Sequence, residues 1–138
     1  MPRYRYIDVS EALDALSEVI DECGELGGKC ERRITDTTGH PLVIAAKYYD
    51  SQAAWAFSIE QPGSYAGFGP HHYVAEFIMH LVTADNCKLK IGDQLYTYWD
   101  LIYVNNRSHP LYGQLIDRKT GDCVYAAITL GQFLGLEG

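Results

Sequence analysis

The chain has 138 residues, 47% of them hydrophobic, 21% charged and 12% aromatic, a globular composition that excludes intrinsic disorder. A length of this order reads as one domain spanning residues 1–138 and buries roughly two thirds of its unfolded surface. No apolar run reaches the 18 or so residues of a membrane span, and a net charge of −7 disfavours direct contact with nucleic acid or anionic lipid.

The first element is an amphipathic helix over residues 8–25. Asp8 suits its cap, with Glu11 three positions on, and Ser10 is a rival cap. At about 100° per residue, Val9, Ala12, Leu13, Leu16, Val19, Ile20 and Cys23 share one side. Glu11, Asp14, Glu18, Asp21, Glu22 and Glu25 lie opposite, and Gly27-Gly28 stops the helix. Residues 30–36 and 41–48 flank a Thr37-Thr38-Gly39 turn and read as a hairpin, followed by a strand over 54–60. Residues 61–69, with Pro62, Gly63, Gly67 and Gly69, read as a loop.

A second helix is predicted over residues 70–84. Pro70 fits its first position, Val74, Phe77, Ile78, Leu81 and Val82 form its apolar stripe, and Asp85-Asn86 ends it. The remainder reads as β: 88–91 and 94–104 around Gly92-Asp93, a loop over 105–110, and a hairpin of 112–117 with 123–129 around 118–122. The tail from Leu130 has the makings of a helical turn, weakened by glycines. The expected fold class is α+β: an antiparallel sheet with two amphipathic helices on one face, in the order α-β-β-β-α-β-β-β-β. The two Thr-Gly hairpins echo each other in sequence, which common turn chemistry explains as well as duplication does.

All the net charge falls in the first helix. Residues 8–25 hold seven acids and no base, while the rest of the chain holds 11 of each sign. Six like-charge neighbours at three- or four-residue spacing cost about 1–3 kcal/mol together. Asp21, Glu22 and Glu25 also oppose the helix dipole. A local rule broken without visible compensation points to function, here docking of Glu11, Asp14, Glu18, Asp21, Glu22 and Glu25 on a basic protein surface. Tyrosine, at 11 residues, is the second feature. Read as one strand, residues 95–104 put Tyr96 and Tyr98 on a shared face, where tyrosines would anchor a partner.

Two further patterns carry alternative chemistry. Gly67 and Gly69, ahead of His71 and His72, could turn backbone N–H groups toward a phosphate-bearing ligand, although the loop 63–69 lacks the P-loop lysine and matches no dinucleotide fingerprint. His72, Glu76 and His80 follow an i, i+4, i+8 row of metal-ligand types, but the outer pair would stand about 12 Å apart, too far for one zinc.

The leading expectation is a non-enzymatic protein-binding module, an inhibitor or escort of basic, nucleic-acid-handling machinery, similar by charge and size alone to anti-restriction and anti-CRISPR proteins. The alternatives are a phosphate-ligand binder or hydrolase, and a metal-dependent enzyme. No cofactor is expected. Tyrosine surfaces and strand edges suit a homodimer without selecting one. The N-terminus has bases but no apolar segment of a secretory signal, and Cys23, Cys30, Cys87 and Cys123 have no Cys-x-x-Cys spacing. A reduced, cytoplasmic setting follows as the expectation, with Cys23 buried and inert.

Overall fold

The computed structural model describes residues 5–23, 29–49, 54–81 and 87–136. Strand β1 (Tyr6–Asp8) leads directly into helix α1 (Val9–Cys23). Asp8 is the cap, accepting hydrogen bonds from the Ser10 N–H at 3.0 Å and the Ser10 hydroxyl at 2.9 Å. The apolar side expected of α1 is buried throughout, with Ala15 added to it. This side packs across β2 (Lys29–Thr35) and β3 (Pro41–Tyr49), against Leu42, Ile44 and Ala46. Each buried branched side chain contributes roughly 1.5–3 kcal/mol. The helix stop at Gly27-Gly28 and the helix end at Asp85-Asn86 fall outside the described residues, as do Glu25 and Val82.

The first sheet is antiparallel, β2-β3-β4-β5, with β4 at Ala54–Gln61 and β5 at Ser64–Phe68. The expected β2–β3 hairpin forms in the register Ile34↔Leu42. Residues 61–69 are not a loop. Pro62 fixes its own φ and Gly63 takes φ +78°, so the chain reverses over two residues and pairs Gln61 with Ser64.

The described residues form two further sheets of three strands each. One is β1-β6-β7, with β6 at Lys88–Ile91 and β7 at Gln94–Tyr96. Here β1 runs parallel to β6, through Tyr6↔Lys88 and Asp8↔Lys90. The other is β10-β9-β8, with β8 at Leu101–Tyr103, β9 at Leu115–Asp117 and β10 at Cys123–Tyr125. A 3-10 turn, Tyr98–Asp100, separates β7 from β8 and breaks the expected long strand. Helix α2 covers only Val74–Met79, and a third helix, α3, covers Leu130–Leu134. The fold is therefore α+β with mainly antiparallel sheets, but the expected order and the pair of helices on one sheet face are corrected: α1 lies on β2 and β3, whereas α2 leans on β8.

Pro70 does not open α2 because tertiary hydrogen bonds claim the next residues. The Leu130 N–H donates to the His72 carbonyl and the Val74 N–H to the Ile128 carbonyl, both at 2.8 Å. Tyr73, extended at φ −82° and ψ 147°, bridges to Thr129 and caps the helix.

Cys23 and Cys30 form a disulfide, with Cα atoms 5.7 Å apart, joining the end of α1 to β2. The expectation of an inert thiol at Cys23 is corrected. Cys87 and Cys123 are free. Among the described residues no helix is long and apolar enough to cross a membrane.

Asp36 is one of two buried polar side chains in the described structure. Its carboxylate accepts from the Thr38 N–H (2.8 Å), the Thr38 hydroxyl (2.7 Å) and the His40 N–H (3.0 Å), and lies 3.1 Å from Arg5 Nε. Asp117 repeats the local part of this pattern, accepting from the Lys119 N–H at 2.8 Å, so shared turn chemistry accounts for the resemblance of the two hairpins. Asp36→Ala strands these donors and the Arg5 charge. It should lower the unfolding free energy by about 3 kcal/mol in urea titrations followed by circular dichroism. A loss within about 0.5 kcal/mol, the range of an ordinary surface change, would contradict this role.

Candidate functional site

The acidic face of α1 is partly neutralised within the chain. Arg32 on β2 places Nη2 2.8 Å from Glu22 and Nε 3.3 Å from Glu18. Asp8 meets Lys90 at 3.7 Å. Each such exposed pair is worth about 0–1 kcal/mol, but together they offset the like-charge crowding along the helix. Glu11, Asp14 and Asp21 are exposed and have no ion pair among the described residues, so the free negative surface is narrower than the sequence suggests. Glu25 falls outside the described residues.

The second feature is an aromatic corner. Trp99 is 73% exposed, against 7% for Trp55. Its ring stands perpendicular to that of Tyr98, with centroids 5.2 Å apart. The backbone beneath is fixed from both ends. The Thr97 N–H donates to the Asp100 carboxylate at 3.0 Å, and the Asp100 N–H returns to the Thr97 carbonyl at 3.1 Å. Arg118 Nε donates to the Trp99 carbonyl at 2.9 Å, and the Arg118 N–H to the Asp100 carbonyl at 2.8 Å. The Thr97-Tyr-Trp-Asp100 spacing is a capping signal that was readable in the sequence. It ends β7 after Tyr96, so Tyr96 and Tyr98 do not share a strand face.

Behind the corner lies a groove of about 440 Å³ between α2 and β8, walled by Met79, Tyr98, Trp99 and Ile102. A smaller pocket of about 270 Å³ continues past the head of α2, lined by His71, Tyr73, Arg107 and Tyr112. Glu76, Tyr103 and Asn105 line both cavities, so the two adjoin. Burial, then the charges of Glu76 and the neighbouring phenols Tyr112 and Tyr73, push Tyr103 up to about 12. Its hydroxyl therefore remains a donor at neutral pH.

The glycine motif does not form an anion cradle. Gly67 lies in β5, and the Gly69 N–H donates to Nδ1 of His72 at 2.9 Å. His71 and His72 are adjacent, with ring centroids 4.3 Å apart. The row of His72, Glu76 and His80 is also broken, because His72 precedes α2 and His80 is its C-cap. Nδ1 of His80 is held 2.9 Å from the Glu76 carbonyl, and both histidine rings lean on Phe68. Among the described residues no three His, Cys, Asp or Glu side chains are grouped to hold a metal ion.

No family model matches the chain, and no curated protein or solved structure is matched to it.

Gly113 sets the wall between Tyr73 and Tyr112, whose rings meet edge to face at 5.2 Å. It sits at φ +90°, and a Cβ there would come within 2.8 Å of the Tyr73 ring. Gly113→Ala should cost about 2 kcal/mol through backbone strain and displacement of that ring. Thermal unfolding measures the loss, and an unchanged midpoint would contradict the packing described.

Asp100 has a second consequence. Hydrogen bonds from the Thr97 backbone, then from its side chain, hold the carboxyl below its ordinary value of 3.8. A lowered carboxyl stabilises the turn fully above the ordinary value and ceases to do so as pH falls through the lowered one. Tryptophan emission should therefore hold steady from neutral pH to about pH 4 and shift below it. In Asp100→Ala this step should be absent and the turn weakened by about 1 kcal/mol. An identical acid transition in the variant would assign the step elsewhere.

Proposed function

We propose that the chain is a non-enzymatic protein-binding module, with the Tyr98–Trp99 corner and the groove behind it as the contact surface. The observation that carries this reading is the exposure of Trp99 on a backbone held by Asp100 and Arg118. An exposed tryptophan gains nothing for the folded monomer, while fixing its backbone lowers the entropy lost on association. Tryptophan and tyrosine beside a groove are the residue types that dominate interface energetics.

The free acids of α1 supply the long-range part. Glu11, Asp14 and Asp21, on a chain of net charge −7, favour a partner that surrounds an apolar anchor with lysine and arginine. Proteins that handle nucleic acid present such surfaces, which is what supports an inhibitor or escort role toward them. The protein-binding reading is preferred to the phosphate and metal alternatives because the Gly69 N–H is engaged by His72 and because His72 precedes α2 while His80 caps its end.

Panning random linear peptides on the immobilised protein tests this. Enriched sequences should carry Lys or Arg flanking an aromatic or large aliphatic residue, and binding should weaken with salt. Trp99→Ala should reduce affinity about tenfold or more. Glu11→Gln with Asp14→Asn and Asp21→Asn should mainly slow association. Enrichment without basic residues, or full affinity in Trp99→Ala, would refute the proposal.

A further inference from the structure

The pocket at the head of α2 is lined by two opposite charges that do not pair with each other. Glu76 reaches it from α2 and Arg107 from the segment after β8. Neither side chain makes an ion pair or hydrogen bond among the described residues. Glu76 is half-buried and Arg107 is exposed, so both charged groups are open to a ligand entering from solvent. A ligand bearing one charge would satisfy one of the two and face a like charge on the other. Phosphate is disfavoured on this ground, because Glu76 opposes it. A zwitterion satisfies both.

The remaining walls fit the same chemistry. A guanidinium fork takes a carboxylate in two parallel hydrogen bonds. Tyr73, Tyr103 and Tyr112 line the same pocket, and tyrosine is a residue type that attracts an ammonium group through the ring quadrupole. The Tyr103 hydroxyl stays protonated and can donate to a carboxylate oxygen. A volume of about 270 Å³ falls below that of drug-sized sites and holds on the order of ten non-hydrogen atoms. A longer side chain has an exit past Tyr103 into the apolar groove of Met79 and Ile102.

We propose that this pocket binds a free α-amino acid with a large apolar side chain, its carboxylate held by Arg107 and its ammonium by Glu76. The two charge contacts stand apart from protein binding at Trp99, which does not line the pocket, whereas a long side chain of the ligand enters the groove that Trp99 also lines.

The twenty common L-amino acids serve as probes, titrated singly by calorimetry against the full chain, with inorganic phosphate alongside. At least one large apolar amino acid should bind. Its analogue lacking the amino group, and its carboxamide, should each bind at least tenfold more weakly, a readout that needs no variant. Arg107→Gln and Glu76→Gln should each lose at least tenfold, with restoration toward wild type in Arg107→Lys and Glu76→Asp. The proposal is overturned if no amino acid binds at millimolar concentration or if phosphate binds more tightly than any of them. It is equally overturned if a bound amino acid tolerates loss of either charged group, or if it keeps its affinity in both charge-removing variants.

Discussion

Residues 5–8 join the two halves of this molecule, and the arrangement of the site depends on that seam. On one side β1 pairs in parallel with β6, beginning at the Lys88 N–H, which donates to the Arg5 carbonyl at 2.8 Å. On the other side it meets the β2–β3 turn. The Tyr6 N–H donates to the Thr37 hydroxyl at 3.1 Å, and the Thr37 N–H donates back to the Tyr6 carbonyl at 3.0 Å. Arg5 reaches the buried Asp36 carboxylate across the same junction, and Ile7 between them is fully buried. A three-residue strand has little stability of its own. It persists because both of its edges are occupied and its one apolar side chain enters the core.

From this seam the site is built outward. The β1-β6-β7 sheet delivers the chain to Thr97, the Thr97–Asp100 turn leads it into β8, and β8 forms the floor against which α2 rests. The head of α2 is fixed separately, by residues 128–131 bonding along 70–74, with α3 capped at Thr129 through Gln132. The trough beside α2 thus has two independently anchored walls. One bears Tyr98 and Trp99, the other His71, Tyr73 and Glu76.

Much of this was legible where the signal was local. The apolar stripe of α1 and the turn chemistry at Thr37–Gly39 and at Asp117–Gly121 each need only a few neighbouring residues, and each is found. Readings failed where a distant partner decided the outcome. Nothing near Tyr6 announces a strand whose partner lies at Lys88. Pro70 reads as a helix start until the C-terminal segment claims Tyr73 and Val74. The acidic stripe looked uncompensated because Arg32, its counterion, sits on a strand beyond the helix. The disulfide likewise depends on how α1 meets β2. In two places a local signal outweighs the longer pattern around it: the Thr97/Asp100 cap inside an apolar run, and Pro62-Gly63 as a two-residue turn. The mixed-charge pocket gathers residues 71, 73, 76, 103, 107 and 112, which no linear motif connects.

The proposed binding role requires that the Tyr98–Trp99 corner be held in place before any partner arrives. Time-resolved fluorescence anisotropy of Trp99 in a Trp55→Phe protein tests it without knowledge of the partner. A preorganised ring should depolarise with the tumbling of the whole molecule and show only a minor fast component. A dominant picosecond-to-nanosecond decay, typical of a freely rotating exposed side chain, would contradict the claim.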